Sequence, residues 1–161
     1  MMRRSFLIAT LAAHPRWLFI FDGVGALVTA AAVGLVLPAL PALVGVPAAV
    51  LRLLAVAACV VAGWSLTWGV LVPHRWPWGL RVVALANAAY CAATAACLWR
   101  FFDRLRVLDW VYFPAELALV AVLASIEWQV ATVGLRAGGA AGAVRAGVPN
   151  DRESGHVDSS R

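Results

Sequence analysis

Apolar residues fill four long stretches of the chain, near positions 17 to 37, 50 to 72, 79 to 100 and 109 to 133, with few charges inside any of them. At a rise of ~1.5 Å per helical residue, each stretch reaches across the ~30 Å hydrocarbon core of a bilayer. The connections are short and marked by proline, as in "LPALPALVGVP" and "PHRWPWG", which predicts antiparallel packing of consecutive helices. The expected fold class is therefore all-α, a polytopic membrane protein built as an antiparallel four-transmembrane-helix bundle over residues 17 to 133. Residues 1 to 16 read as a cytoplasmic or interfacial N-terminal segment. Beyond Gly134 the pattern dissolves into Gly, Ala and charge without an apolar face, so residues 134 to 161 are expected to form a disordered cytoplasmic tail.

Composition agrees with this class: 63% of the 161 residues are hydrophobic and 13% charged, far from the balance of soluble domains. All thirteen basic residues are arginine and the net charge is +5, but their placement points to topology rather than to nucleic acid. Arg3, Arg4, Arg16, Arg75, Arg81, Arg136 and Arg145 lie toward one membrane face, against Arg52, Arg100, Arg104 and Arg106 toward the other. That excess places both termini in the cytoplasm. Trp17, Trp68, Trp76, Trp78 and Trp128 on the first side, with Trp99 and Trp110 on the second, read as aromatic belts. The twin arginines of "RRSFL" precede only a brief apolar segment and then His14, Pro15 and Arg16, which favours an interfacial segment over an export signal. Cys59, Cys91 and Cys97 form no CxxC pair and read as small packing residues. No two histidines among His14, His74 and His156 have the spacing of a zinc or haem site, so neither metal nor cofactor is expected.

Polar residues inside the spans carry the most information, because an ionisable group there usually faces the bundle interior or a wet cavity. In "FPAELALVAVLASIEWQ", Glu116 and Glu127 are eleven residues apart, about 20° from three full helical turns, so both point the same way. Counting rise from the cytoplasmic helix ends, Asp22 falls at roughly 8 Å, Ser65 and Glu127 at roughly 10 Å and Asn87 at roughly 12 Å. All four helices thus contribute to one polar layer. Glu116 and Thr94 make a second layer further out, with Tyr90 between the two. Asn87, Tyr90, Cys91 and Thr94 form a stripe on the third helix; Asp22, Gly25 and Thr29 share a face of the first, and Cys59, Gly63 and Thr67 a face of the second. Ala26, Ala30 and Gly34 add a small-xxx-small pattern of the kind that brings helices together in lipid. "GVG" at 23 to 25 lies within a span and lacks the rest of a nucleotide loop.

Three functions use this layout differently. In a structural or assembly subunit, Arg81 reaches inward to Asp22 or Glu127 and Arg52 reaches Glu116, so that ion pairs register the helices. In an accessory or ligand-binding protein, Asn87 and Tyr90 hold the head group of a lipid, quinone or other amphipathic molecule, apolar walls hold its tail, and Glu116 or Glu127 exchanges a proton. In a proton-coupled transporter acting as a dimer, Asp22 or Glu127 carries the proton. The ligand-binding reading is preferred, with Asp22, Ser65, Asn87, Tyr90, Glu116 and Glu127 as its candidate residues. Expected partners are membrane lipids, such an amphipathic ligand, and a second copy or another membrane subunit. No motif indicates catalysis.

The order of "FDGVGALVTAAAVGLVLPAL", "VGVPAAVLRLLAVAACVVAGWSL", "LRVVALANAAYCAATAACL" and "YFPAELALVAVLASIE" resembles the small four-helix DoxX-like bacterial membrane proteins over roughly residues 17 to 130. The resemblance implies a four-helix bundle in the bacterial inner membrane, in a group with links to quinone or redox complexes, and it transfers no active residue. In size, and in a first-helix carboxylate at Asp22, the chain is also similar to small multidrug transporters, whose essential residue is glutamate.

Overall fold

The computed structural model describes residues 14–71 and 75–146. Helix α1 runs Pro15–Ala31 and continues through a π turn, Ala32–Val36, and a 3-10 turn, Leu37–Ala39. Helices α2, Ala48–Leu71, and α3, Trp76–Arg100, follow; a 3-10 turn, Phe102–Arg104, leads to α4, Val107–Ala146. Four of these stretches are long and apolar enough to cross a membrane, so the protein is a multi-pass membrane protein with an all-α four-helix bundle.

Proline sets several of the boundaries. Pro15 opens α1, where its fixed φ suits the first helical turn and its missing N–H leaves nothing unpaired. The same logic explains why α3 begins at Trp76, three residues before the expected start: Pro77 lies in the first turn and does not break it. Pro47 precedes α2, and its carbonyl accepts the first amides of that helix, Val50 at 2.9 Å and Leu51 at 3.1 Å.

The largest departure from expectation is at the other end. Helix α4 passes Gly134 and extends to Ala146, so residues 134–146 are helix rather than disordered tail. Gly134 is no helix end because it serves packing: a Cβ there would come within 2.6 Å of the Trp76 ring. The expectations for residues 1–13, for His74 and for residues 147–161 lie outside the described residues.

The bundle consists of two close helical hairpins, α1 with α2 and α3 with α4, joined mainly where α2 meets α3; of the four neighbouring pairs, α1 and α4 touch least. The α1–α2 seam is tight because it carries glycine. A Cβ on Gly34 would lie 2.7 Å from the Ala55 Cβ, and one on Gly23 2.6 Å from Leu66 Cγ. The expected Ala26, Ala30, Gly34 pattern therefore marks a real interface, consistent with close packing through small residues in lipid. The Cys59, Gly63, Thr67 face does not: all three are exposed, and α2 turns Leu51, Leu54, Ala58, Ala62 and Ser65 inward instead.

Both interhelical loops of the hairpins meet at one end. Gly45 donates its backbone N–H to Asp109 Oδ2 at 2.6 Å, the same oxygen accepts the Arg106 N–H at 2.9 Å, and Leu108 N–H reaches the Leu43 carbonyl at 3.3 Å. Asp109 sits in the first turn of α4 and reaches back to an orphan amide, as the acidic member of a capping box does. Arg106 adds hydrogen bonds from its guanidinium to the carbonyls of Pro41 and Ala42. The approach is so close that a Cβ on Gly45 would fall 1.6 Å from the Arg104 carbonyl oxygen.

Two apolar clusters lie at different heights. One, at the loop-clamp end, includes Val33, Leu37, Leu51, Leu54 and Phe113; the other, at the Pro15 end, includes Leu18, Phe19, Leu80, Val83 and Val130. Trp68 and Trp76 belong to the second cluster rather than to an aromatic belt, Trp68 lying beside Phe19 with ring centroids 6.2 Å apart. Trp17, Trp78, Trp99, Trp110 and Trp128 are exposed, as belt residues would be.

Candidate functional site

Between the two clusters all four helices turn a polar side chain inward. Asp22 from α1, Ser65 from α2, Asn87 from α3 and Glu127 from α4 are each at most 5% exposed. The helical period delivers them: Asp22 follows Leu18 and Phe19 by four and three residues, and Glu127 precedes Val130 and Ala131 by three and four. The polar layer is thus written on the same faces that form the core.

The four side chains are one hydrogen-bonded chain. Ser65 Oγ donates to Asp22 Oδ2. Asn87 Nδ2 spends one N–H on Asp22 Oδ1, at 2.7 Å, and the other on Glu127 Oε2, at 3.2 Å. A single amide therefore bridges two carboxyl groups. Glu127 Oε1 is buried with no hydrogen-bond partner among the described residues. Further along α3 and α4, Tyr90 Oη donates to Glu116 Oε1 at 3.1 Å, while Glu116 Oε2 and the fully buried Thr94 hydroxyl have no partner there. Thr29 and Tyr112 lie beside the same carboxyl group. Tyr112 was not legible as a site residue, because its signal, an aromatic one turn before Glu116, is shared with ordinary core positions.

The expected ion pairs do not form. Among the described residues no arginine bonds any of these carboxyl groups. Arg81 is turned to the outside of α3, its guanidinium 5.6 Å from the Trp78 ring centroid and 5.2 Å from that of Trp128. Arg52 is exposed on α2. The physical reason is angular: around α3, Arg81 lies about 160° from Val83 and about 120° from Asn87, and its length carries the guanidinium away from the polar layer to the two rings.

A cavity of about 60 Å³ lies against this network. Its polar floor is Asp22, Asn87 and Tyr90; its walls include Gly25, Ala26, Ala58, Leu119 and Leu123. Glu116 and Glu127 do not line it, but each sits one hydrogen bond behind a residue that does. The cavity opens at the seam between α1 and α4, the sparsest of the four neighbouring pairs, where its wall residues Gly25 and Leu119 are exposed on the outside of the bundle. It is therefore a lateral crevice with a small polar end and an apolar mouth. Its volume admits roughly four waters or a polar head group, not a whole amphiphile.

Comparison with known protein families, with curated proteins and with solved structures finds no match to this chain.

Proposed function

We propose that this protein binds the polar head of an amphipathic molecule, a lipid or a quinone, in the crevice between α1 and α4, as a DoxX-like accessory protein of the bacterial inner membrane. The observation that carries the reading is the crevice itself, a polar floor at mid-bundle reached from the side through apolar walls. Small-molecule sites combine mostly apolar lining with a few convergent polar groups. Here Asp22 accepts, both Asn87 N–H groups are already used and the Tyr90 hydroxyl already donates to Glu116, so the complementary head group donates hydrogen bonds: a lipid alcohol, or a quinone in its quinol form. The volume holds the head alone and leaves the tail between α1 and α4, in the lipid.

One observation favours a second reading, proton-coupled transport as a dimer. Asp22 and Glu127 converge on one amide with no arginine among the described residues bonded to either, and two like charges in a medium of low dielectric favour a proton or a cationic group between them.

Native mass spectrometry of the chain extracted in mild detergent tests the binding reading. A specific lipid or quinone is expected to be retained by the wild type and lost by Asn87→Ala. It is also expected to be lost by Gly25→Leu, which adds bulk to the crevice wall at a position where a Cβ meets nothing within 4 Å. Retention by both variants, or no retained species at all, overturns it. Proton flux in proteoliposomes that disappears with Asp22→Asn would move the assignment to transport.

A further inference from the structure

A second site lies on the outer surface of the other hairpin, independent of the crevice. Arg81 stands near the Pro15 end of α3, held between the rings of Trp78 and Trp128. Its Nε is buried without a hydrogen-bond partner, and no carboxylate among the described residues pairs with it. Both tryptophans are themselves exposed, 58% and 44%. A guanidinium fixed between two rings, with its charge unanswered, is built to receive an anion from outside the bundle, and its planar fork suits a phosphate.

Directly below it a groove runs between α3 and α4. Leu85, Ala88 and Cys91 follow Arg81 down one side of α3, and Ala121, Ser125 and Trp128 form the facing side on α4. Ala84, Ala88, Ala121, Ala124 and Ser125 are small enough to leave an open groove of about 530 Å³. Trp128 belongs both to the groove and to the stack on Arg81, so the cation sits at the groove's end. From Arg81 to Cys91 the helix rises about 15 Å, which is half of the ~30 Å hydrocarbon core and therefore the depth of one leaflet.

We infer that Arg81, Trp78 and Trp128 with the α3–α4 groove form a binding site for one anionic phospholipid, its phosphate on the guanidinium and an acyl chain in the groove. Charge complementarity and the one-leaflet length select this occupant: a zwitterionic lipid brings its own cation to the phosphate, and a soluble anion would leave the groove unfilled. The arginine distribution places this end on the cytoplasmic side, where anionic lipids set the surface potential.

The test uses the full chain in mild detergent, titrated with dioleoylphosphatidylglycerol or dioleoylphosphatidylcholine and read by native mass spectrometry. Wild type is expected to retain one phosphatidylglycerol with about five-fold preference over phosphatidylcholine, the discrimination one arginine contributes toward an anionic lipid. Arg81→Gln is expected to abolish the preference, while Arg75→Gln, at an exposed arginine of the same end, leaves it intact. Ala88→Leu, which fills the groove and spares Arg81, is expected to lower retention of phosphatidylglycerol. Equal retention of the two lipids by wild type, preference surviving Arg81→Gln, or unchanged retention by Ala88→Leu overturns the site.

Discussion

Asn87 is the side chain on which the polar layer turns. Its two amide hydrogens satisfy one oxygen each of Asp22 and Glu127, so removing it orphans two buried acceptors at once. Each orphaned buried group costs about 1–3 kcal/mol. Asn87→Leu is therefore expected to lower the thermal midpoint in detergent substantially. Glu127→Gln should not: the glutamine carbonyl still accepts from Asn87, and its neutral amide brings a donor to the buried oxygen position that has no partner among the described residues. Midpoints from thermal unfolding of the two variants check the contrast, with Glu127→Gln at or above wild type. This ordering separates a network held by the bridging amide from one held by ion pairs, in which losing Glu127 would strand an arginine.

At the scale of elements, the pairing of α1 with α2 rests on glycine rather than on large apolar side chains. The neighbour of Gly34 is the Ala55 Cβ, fixed to a helix and unable to rotate away. Gly34→Val is expected to force the helices apart at a cost of about 1–3 kcal/mol, as overpacking does. Gly63 is the counter-case on the outer face of α2, with nothing within 4 Å of an added Cβ. There alanine relieves the entropic penalty of a mid-helix glycine and should stabilise by up to about 1 kcal/mol. Thermal unfolding of Gly34→Val and Gly63→Ala in the same detergent checks the opposite signs. The sequence marked both glycines as interface candidates; only the neighbouring helix distinguishes them.

At the scale of the whole molecule, an even number of spanning helices puts the start of α1 and the end of α4 on one side. Arginine near the helix ends then decides which side that is. Reporter fusions at the two termini are expected to report the cytoplasm for both, and fusions in the 40–47 loop the opposite compartment. The α1–α2 and α3–α4 loops are clamped to each other through Gly45, Asp109 and Arg106, so that end behaves as one unit. The opposite end carries the tryptophan stack on Arg81 and the packed Trp68 and Trp76 rings. Between them the sparse α1–α4 seam leaves the crevice open to the side.

Hydropathy and helical periodicity alone determined that four helices cross a membrane, that neighbours run antiparallel, and that Asp22, Ser65, Asn87 and Glu127 share a level. Those properties depend on rise, period and transfer free energy, which are local to each segment. Helix rotation about its own axis is different: it depends on which neighbour fills each side. That is why Cys59, Gly63 and Thr67 could not be told from a buried face, and why Arg81 was paired with carboxylates it does not reach. The end of α4 was misplaced for a related reason, since Gly134 breaks a pattern in one dimension and seats the Trp76 ring in three. Likewise Asp109 was legible only as an acid near a helix start; its hold on Gly45 spans 64 residues and exists only once the two hairpins pack. The crevice follows from the same cause: a gap between α1 and α4 belongs to neither helix, and only the assembled bundle opens it beside Asp22 and Asn87.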